Sequence, residues 1–118
     1  MSPAIAPTRR IAARRSALAR LQAELVGRAL QQTQPNLALS YQFSASLGDQ
    51  RAEEPLWQMP EKGVFTTDLR NELLAGQCDL VVHSWKDLPI EEHPQTVIAA
   101  TLPRADQRDL LLVRRDRW

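Results

Sequence analysis

The sequence has a single cysteine, Cys78, among its 118 residues, so it cannot form a disulfide within the chain. We therefore expect a reducing compartment, namely the cytoplasm. No apolar run approaches the ~18 residues that a membrane-spanning helix needs. Residues Met1 to Thr8 lack the hydrophobic centre of a secretory signal, and we expect residues 1–9 to form a flexible N-terminus. These absences argue against a membrane protein and against a disulfide-rich exported domain.

Lysine is also scarce, since Lys62 and Lys86 are the only two in a chain whose net charge is +1. The cationic residues near the N-terminus are all arginines, and one acid, Glu24, accompanies them. They are Arg9, Arg10, Arg14, Arg15, Arg20 and Arg28. A guanidinium group matches a carboxylate with two parallel hydrogen bonds. This cluster can therefore attract small carboxylates or nucleic acid.

Residues 10–43 have the pattern of a strand, a helix and a second strand. Arg10–Ala13 is predicted to be a strand, and Ser16 is predicted to be a helix N-cap, since its hydroxyl can accept a hydrogen bond from a first-turn amide. The helix is expected to end before Pro35, and residues 37–43 alternate as a strand does. The apolar face of this helix is predicted to comprise Leu18, Leu21, Leu25, Val26, Ala29 and Leu30.

A long loop and a second helix are predicted next. Residues 44–62 lack periodicity, and loops of this length are often functional or mobile. Thr66 or Thr67 is expected to cap the second helix, and Gly76 follows it at a typical C-cap position.

Three further strands complete the predicted fold. Cys78–Ser84 has the apolar run of a strand covered on both faces, and residues 97–101 and 110–113 are predicted to be strands too. The order β-α-β-loop-α-β-β-β indicates an α/β sheet with helices packed on it. Because the sequence ends just after a predicted strand, we expect more protein to follow.

Five short segments occur in a fixed order and spacing between about Arg10 and Val113. They are Arg14–Ala19 with Gln22, Ser46–Asp49, Lys62–Phe65, His83–Pro89 and Arg104–Asp109. These segments resemble the motifs R-x-S-P-L-A-x-x-Q, T-x-G-D, K-G-L-F, H-S-M-K-D-V-P and R-x-D-x-R-D of the porphobilinogen deaminase (hydroxymethylbilane synthase) family. The heptapeptide is the most specific of the five.

The resemblance implies an α/β lobe like those of type II periplasmic binding proteins, here an incomplete first domain over residues 10–118, with the second and third domains absent. It implies an enzyme of tetrapyrrole (haem and chlorophyll) biosynthesis that joins four porphobilinogen units into hydroxymethylbilane and releases ammonia. The family builds this product on a dipyrromethane cofactor, attached to a cysteine of the third domain outside this chain. We therefore expect no catalysis by this chain alone, and a monomer when the enzyme is complete.

Asp87 matches the catalytic aspartate of the family. Its carboxylate would stabilise positive charge that develops on the pyrrole during deamination and coupling, a case of electrostatic preorganisation. The alternative is that Asp87 only caps the turn ahead of Pro89. The resemblance favours the catalytic role.

Other matching positions would hold the acetate and propionate groups that each porphobilinogen unit carries. Arg14, Ser16, Ser84 and Lys86 are expected to bind the cofactor, and Arg14 and Lys62 are expected to bind substrate. As alternatives, Ser84 could close the strand, and the cations could be surface residues. No metal site is predicted.

Several residues depart from the family pattern or have structural interpretations. His83 is expected to pack under the strand end, and Cys78 is expected to be a core residue. Ala17 replaces a proline of the motif, and Thr67 stands where lysine is common. Trp85 replaces a methionine, and Ser46 replaces a threonine.

Three hypotheses remain. The chain is part of a deaminase that binds porphobilinogen, the growing pyrrole chain and the remaining domains of the enzyme, or it is an anion-binding lobe without turnover. The third hypothesis, a nucleic-acid-binding module, depends on the arginine cluster alone. Trp57, Trp85 and Trp118 form no stacking array and so give a nucleic-acid interface no support. We expect neither a nucleic-acid partner nor a membrane partner.

Overall fold

A computed structural model describes most of the chain outside one long central segment. The described residues are 8–45, 66–89, 91, 93–104, 108, 112 and 114–117. The elements are β1 (Thr8–Arg14), α1 (Ala17–Thr33), β2 (Ala38–Ser44), α2 (Thr67–Leu74) and β3 (Leu80–Val81). The three strands form a parallel sheet in the order β2-β1-β3. The predicted α/β class is confirmed at this level.

The core has two small parts, one on each face of β1. On one face Ile11 packs with Ala23 of α1. On the other face Ala12 packs with Leu69 of α2 and with Cys78, which is 3% exposed, as expected for a core cysteine. Successive side chains of a strand point to opposite faces, so the central strand buries both of its sides. The result is a three-layer arrangement of α1, sheet and α2.

Helix α1 begins and ends where the sequence predicts. The Ser16 hydroxyl oxygen accepts a hydrogen bond from the Ala19 amide at 3.3 Å, and the helix ends at Thr33. Its predicted apolar face is confirmed only in part, since Leu30 packs against the core. Ala19, Ala23 and Gly27 face the sheet, whereas Leu18, Leu21 and Leu25 of the predicted face are 50%, 50% and 42% exposed. The small side chains at positions 19, 23 and 27 bring the helix axis close to the sheet.

Helix α1 lies close to the side chains of β2 at Gly27. A Cβ atom at this position would lie against the Tyr41 hydroxyl and 3.0 Å from Leu39 Cδ1. Real Cβ atoms rarely come so close to a neighbour, so a side chain here must displace the Tyr41 and Leu39 side chains or the helix. The space between α1 and β2 therefore favours glycine at this position.

We expect Gly27→Val to lower the free energy of unfolding by about 1–3 kcal/mol through overpacking against β2. Chemical denaturation followed by circular dichroism measures this. Ala17→Val is the control, since it adds a β-branched residue to an exposed turn of the same helix and should cost no more than ~0.7 kcal/mol. Equal losses in the two variants would show that helix propensity, and not the contact with β2, decides the effect.

Helix α2 ends in a Schellman motif. Gly76 has φ of +76°, its amide donates to the Leu73 carbonyl, and the Gln77 amide donates to the Glu72 carbonyl. This confirms Gly76 as the C-cap glycine, because a left-handed conformation costs glycine nothing. At the start of the helix Thr66 is the N-cap residue, but its side chain makes no capping hydrogen bond.

Arg10 and Asp79 fix β3 beside β1. The Asp79 carboxylate accepts from the Arg10 amide at 2.7 Å, and the Asp79 amide donates to the Arg10 carbonyl at 2.9 Å. The Arg10 guanidinium also donates to the Gly76 carbonyl at 2.8 Å. The hydrogen bonds from the backbone and then the side chain of Arg10 lower the pKa of Asp79. This network holds the register in which Ile11 is opposite Leu80.

The predicted fold differs most from the structure in the strands of the C-terminal part. The strand predicted at Cys78–Ser84 is confirmed only over Leu80–Val81, although its side chains do pack on both faces. Residues 97–101 were predicted to be a strand, and this is wrong: Val97 is 85% exposed and the segment is irregular. Among the described residues no strand lies beside it to complete its hydrogen bonds. Residues 46–65, and 110, 111 and 113, lie outside the described part.

Candidate functional site

The candidate site lies at the carboxyl ends of β1 and β3, which are neighbours in the sheet. Ligands of open α/β sheets bind at this edge. An open cavity of about 220 Å³ is present there. Its lining residues come from both strand ends and the first turn of α1: Arg14, Ser16, Leu18, Ala19, Val82, His83, Ser84, Lys86 and Asp87. Five of the six predicted site residues thus share one cavity, and Lys62 lies outside the described residues.

Arg14 and Asp87 contact each other in the cavity. Arg14 Nη1 donates to Asp87 Oδ2 at 3.1 Å, and the two side chains are only 18% and 13% exposed. Hydrogen bonds between ionised partners are stronger than neutral ones. The contact orients the carboxylate of Asp87 toward β1, on the same side as the guanidinium.

A short 3₁₀ turn, Trp85–Asp87, sets the direction of the Asp87 side chain. The Asp87 amide donates to the Ser84 carbonyl at 3.0 Å, and the Leu88 amide donates to the Trp85 carbonyl at 3.1 Å. Trp85, the departure from the family motif, is 69% exposed, so its ring does not fill the cavity. Lys86 follows on the turn, is exposed, and adds a second cation to the lining.

Ser16 contributes to the site through its position as N-cap of α1. Its oxygen accepts from the Ala19 amide, and a serine hydroxyl also carries one hydrogen that can be donated. The amino end of a helix has partial positive charge. The first turn of α1 therefore adds to the field of Arg14 and Lys86, and this edge favours anions.

Ser84 is held by a residue that the sequence did not assign to the site. Ser84 donates its hydroxyl hydrogen to Gln22 Oε1 at 2.7 Å. A serine has one such hydrogen, so in this arrangement Ser84 presents only acceptor capacity to the cavity. Gln22 is the last residue of the first family motif, and this position was the signal in the sequence that could have assigned it to the site.

His83 lines the cavity and is mostly buried, in agreement with its predicted packing under the strand end. Its Nδ1 atom is buried and has no hydrogen-bond partner among the described residues. Burial lowers the pKa of His83, and the positive charges of Arg14 and Arg70 lower it further, against an opposing effect of Asp87. The imidazole is therefore neutral near pH 7.

The lowered pKa of His83 predicts acid-sensitive stability. At pH values below 6.5, the ordinary pKa of histidine, His83 binds a proton in the unfolded chain but not in the folded chain. The free energy of unfolding therefore falls as the pH drops. The slope between pH 7.5 and 5.5 should be at most about 1.4 kcal/mol per pH unit, and His83→Gln should flatten it. Denaturation at several pH values measures this; an unchanged slope in the variant contradicts the assignment.

The described part of the chain contains neither a membrane-spanning helix nor a cluster of metal-ligand side chains. No helix there combines the length and apolar character needed to cross a membrane. No group of three or more histidine, cysteine, aspartate or glutamate side chains is arranged there to hold a metal ion.

Comparison with known proteins decides the family. Residues 9–118 match the family described as "Porphobilinogen deaminase, dipyromethane cofactor binding domain". The chain belongs to the porphobilinogen deaminase family. The deaminase of Acidothermus cellulolyticus is 44% identical over 103 residues, and that of Syntrophomonas wolfei is 41% identical over 103 residues. A deaminase of Prochlorococcus marinus is 38% identical over 104 residues.

The match covers most of this chain but a minor part of each deaminase. It includes 87%, 87% and 88% of the chain, and 30%, 34% and 33% of the three relatives in the same order. The chain thus spans about a third of the length of these deaminases. The matched region is the part that the family description assigns to the cofactor.

The residues of the cavity fit a dipyrromethane in their chemistry. By the family resemblance, this group carries carboxylate arms and pyrrole N–H donors. Arg14, Lys86 and the first turn of α1 are suited to the arms, and the Asp87 carboxylate is suited to an N–H group. The cavity is smaller than the ~300–1,000 Å³ of pockets that enclose a drug-sized ligand. An open cavity of this size therefore accommodates only part of such a group.

Proposed function

We propose that this chain supplies the pyrrole-binding wall of a hydroxymethylbilane synthase, the enzyme of tetrapyrrole biosynthesis that joins four porphobilinogen units and releases ammonia. The observation that carries the proposal is the 3.1 Å contact between Arg14 and Asp87 in a cavity also lined by Lys86. A carboxylate and two cations lie together at the ligand-binding edge of a parallel sheet. A substrate with acidic arms and a pyrrole N–H needs both signs of charge.

Asp87 is the proposed catalytic residue. Deamination of porphobilinogen leaves an electron-poor azafulvene, which the next pyrrole attacks, so positive charge develops near the ring nitrogens. The Asp87 carboxylate is 13% exposed, and partial exclusion of water strengthens its effect on a nearby cation. Because the Arg14 contact and the 3₁₀ turn already fix its direction, little reorganisation is needed during the reaction.

Binding and orientation are the proposed roles of the other residues. Arg14 and Lys86 hold acetate and propionate groups, and the Ser16 hydroxyl donates a further hydrogen bond to them. Ser84 donates to such a group only when its hydroxyl hydrogen turns from Gln22 Oε1 toward the ligand. The dipyrromethane cofactor supplies the primer for chain growth. We propose Lys62 as a further substrate-binding cation on the basis of its family motif alone.

A site with one wall requires a second one. We propose that the sheet and its helices are the first lobe of a type II periplasmic-binding-protein-like pair, and that the cavity faces the second lobe across a cleft. The open cavity and the relatives' threefold greater length support this. The complete enzyme is then a cytoplasmic monomer that encloses the growing pyrrole chain between its domains.

A chimera tests the proposed function. Residues 9–118 of this chain replace the matching segment of the Acidothermus cellulolyticus deaminase, and hydroxymethylbilane formation from porphobilinogen is measured. We expect turnover by the chimera and none by the 118-residue chain alone. The control is the same Acidothermus protein without its matching segment, which should be inactive. A folded chimera that binds porphobilinogen without forming product would favour an anion-binding lobe instead.

A further inference from the structure

Helix α1 presents three leucines to solvent on one side. Leu18, Leu21 and Leu25 are 50%, 50% and 42% exposed. Residues three and four apart are neighbours on a helix surface, so these leucines form a continuous row, called here the leucine stripe. The face that packs on the sheet is a different one, on which the small residues Ala19, Ala23 and Gly27 are buried and Leu30 packs against the core.

A row of this kind differs from ordinary surface leucines. Single exposed apolar side chains are common, whereas aligned ones rimmed by polar residues mark contact surfaces. Glu24 and Arg28 border the stripe and pair with each other at 3.7 Å, so the stripe itself carries no charge. An uncharged surface of this type suits an apolar partner and is ill suited to nucleic acid or to a carboxylate.

The leucine stripe is continuous with the candidate site. Leu18 belongs to the stripe and also lines the cavity beside Arg14. Gln22, which binds Ser84 at 2.7 Å, lies on the helix flank between the stripe and the sheet. A partner that covers the stripe therefore also borders the cavity and restricts its contact with water.

We propose that the leucine stripe is the docking surface for the rest of the deaminase, which contacts it through an apolar surface and thereby closes one side of the cavity. This rests on the proposed function. The length of the relatives identifies the occupant, since they extend over about three times the length that this chain matches. The leucine stripe is continuous with the cavity, so a domain that closes the cavity also contacts this edge of α1.

Thiol labelling tests the docking surface. Leu21→Cys and Leu25→Cys probe the stripe, and Leu74→Cys on α2 is the matched control, since Leu74 is 41% exposed. Each is labelled with iodoacetamide in the 118-residue chain and in the Acidothermus chimera, and mass spectrometry quantifies each cysteine-containing peptide. Leu18 is left unchanged because it lines the cavity. The buried Cys78 reports on folding, because it should remain unlabelled in both proteins.

We expect similar labelling rates at all three positions in the isolated chain. In the chimera, labelling at positions 21 and 25 should be at least tenfold slower and that at position 74 unchanged. The labelling rates are also measured after the 118-residue chain is mixed with the remaining segment of the Acidothermus enzyme. A chimera that fails to fold therefore does not decide the result. Unchanged rates at 21 and 25 in both arrangements would overturn the proposal.

Three outcomes separate the docking surface from the proposed function and from self-association. A chimera that forms hydroxymethylbilane but shows no protection retains the function and overturns the docking surface. A chimera in which the stripe is protected but no hydroxymethylbilane forms supports the docking surface and contradicts the proposed function. Protection that rises with concentration in the isolated chain would make a second copy the occupant, and this too would overturn the proposal.

Discussion

Asp87→Asn in the Acidothermus chimera is expected to lower the rate of hydroxymethylbilane formation by about 10²–10³-fold, the usual effect of removing one preorganised electrostatic group. Asparagine keeps the size and the acceptor oxygen of the side chain but not its charge. In the proposed mechanism this charge stabilises the positive pyrrole ring, so the loss should appear in kcat. Initial rates over a range of porphobilinogen concentrations measure it.

The matched control is Asp79→Asn, which removes a carboxylate from the other end of β3. Asp79 binds Arg10 and lies away from the cavity, so its loss should affect stability and leave kcat within about threefold. Equal rates for the Asp87 variant and the unchanged chimera would refute the assigned role. A comparable loss in the Asp79 variant would mean that any damage to this strand lowers activity.

Arg14→Gln in the same chimera is expected to raise KM by about 10- to 100-fold, since a hydrogen bond to a charged group contributes ~1.5–3 kcal/mol. The substitution removes a partner for the acid arms of the substrate. It also leaves the Asp87 carboxylate without its 3.1 Å contact, so kcat should fall as well. Arg14→Lys should recover only part of the loss, because lysine lacks the planar fork.

Arg15→Gln is the control for Arg14. Arg15 is the next residue, is exposed, and lies outside the cavity lining. A neutral variant there should have KM close to that of the unchanged chimera. If both arginine variants raise KM equally, the arginines act through their general field and not through a specific contact. A double-mutant cycle between Arg14 and Asp87 adds a further check, since residues in contact give non-additive effects.

Helix α1 shows what the sequence could predict and what it could not. The cap at Ser16 and the end before Pro35 follow from local rules and were correct. The leucine pattern predicted the buried face only in part, because hydrophobic periodicity identifies an apolar face without identifying what covers it. Leu30 of that face packs against the core, whereas the fully buried positions of the helix are the small residues Ala19, Ala23 and Gly27.

The site residues were predicted from their match to the family motifs, and the topology of the sheet explains why two of them meet. Arg14 and Asp87 each follow a predicted strand, and adjacent parallel strands end at the same edge. Gln22 was not assigned to the site, because its contact with Ser84 depends on the rotation of α1 about its axis. The strand predicted at residues 97–101 is not formed. An apolar run of β-branched residues forms a strand only if a neighbouring strand is present to pair with it, and none lies beside this run among the described residues.

The proposed placement of Asp87 beside the pyrrole nitrogens is tested most directly by a crystal structure of the chimera with a bound pyrrole chain. We expect an Asp87 carboxylate oxygen within about 2.7–3.2 Å of a pyrrole nitrogen. Arg14 and Lys86 should contact the acetate and propionate groups of the rings. Pyrrole nitrogens that face a different group, with the ligand away from the ends of β1 and β3, would contradict this placement.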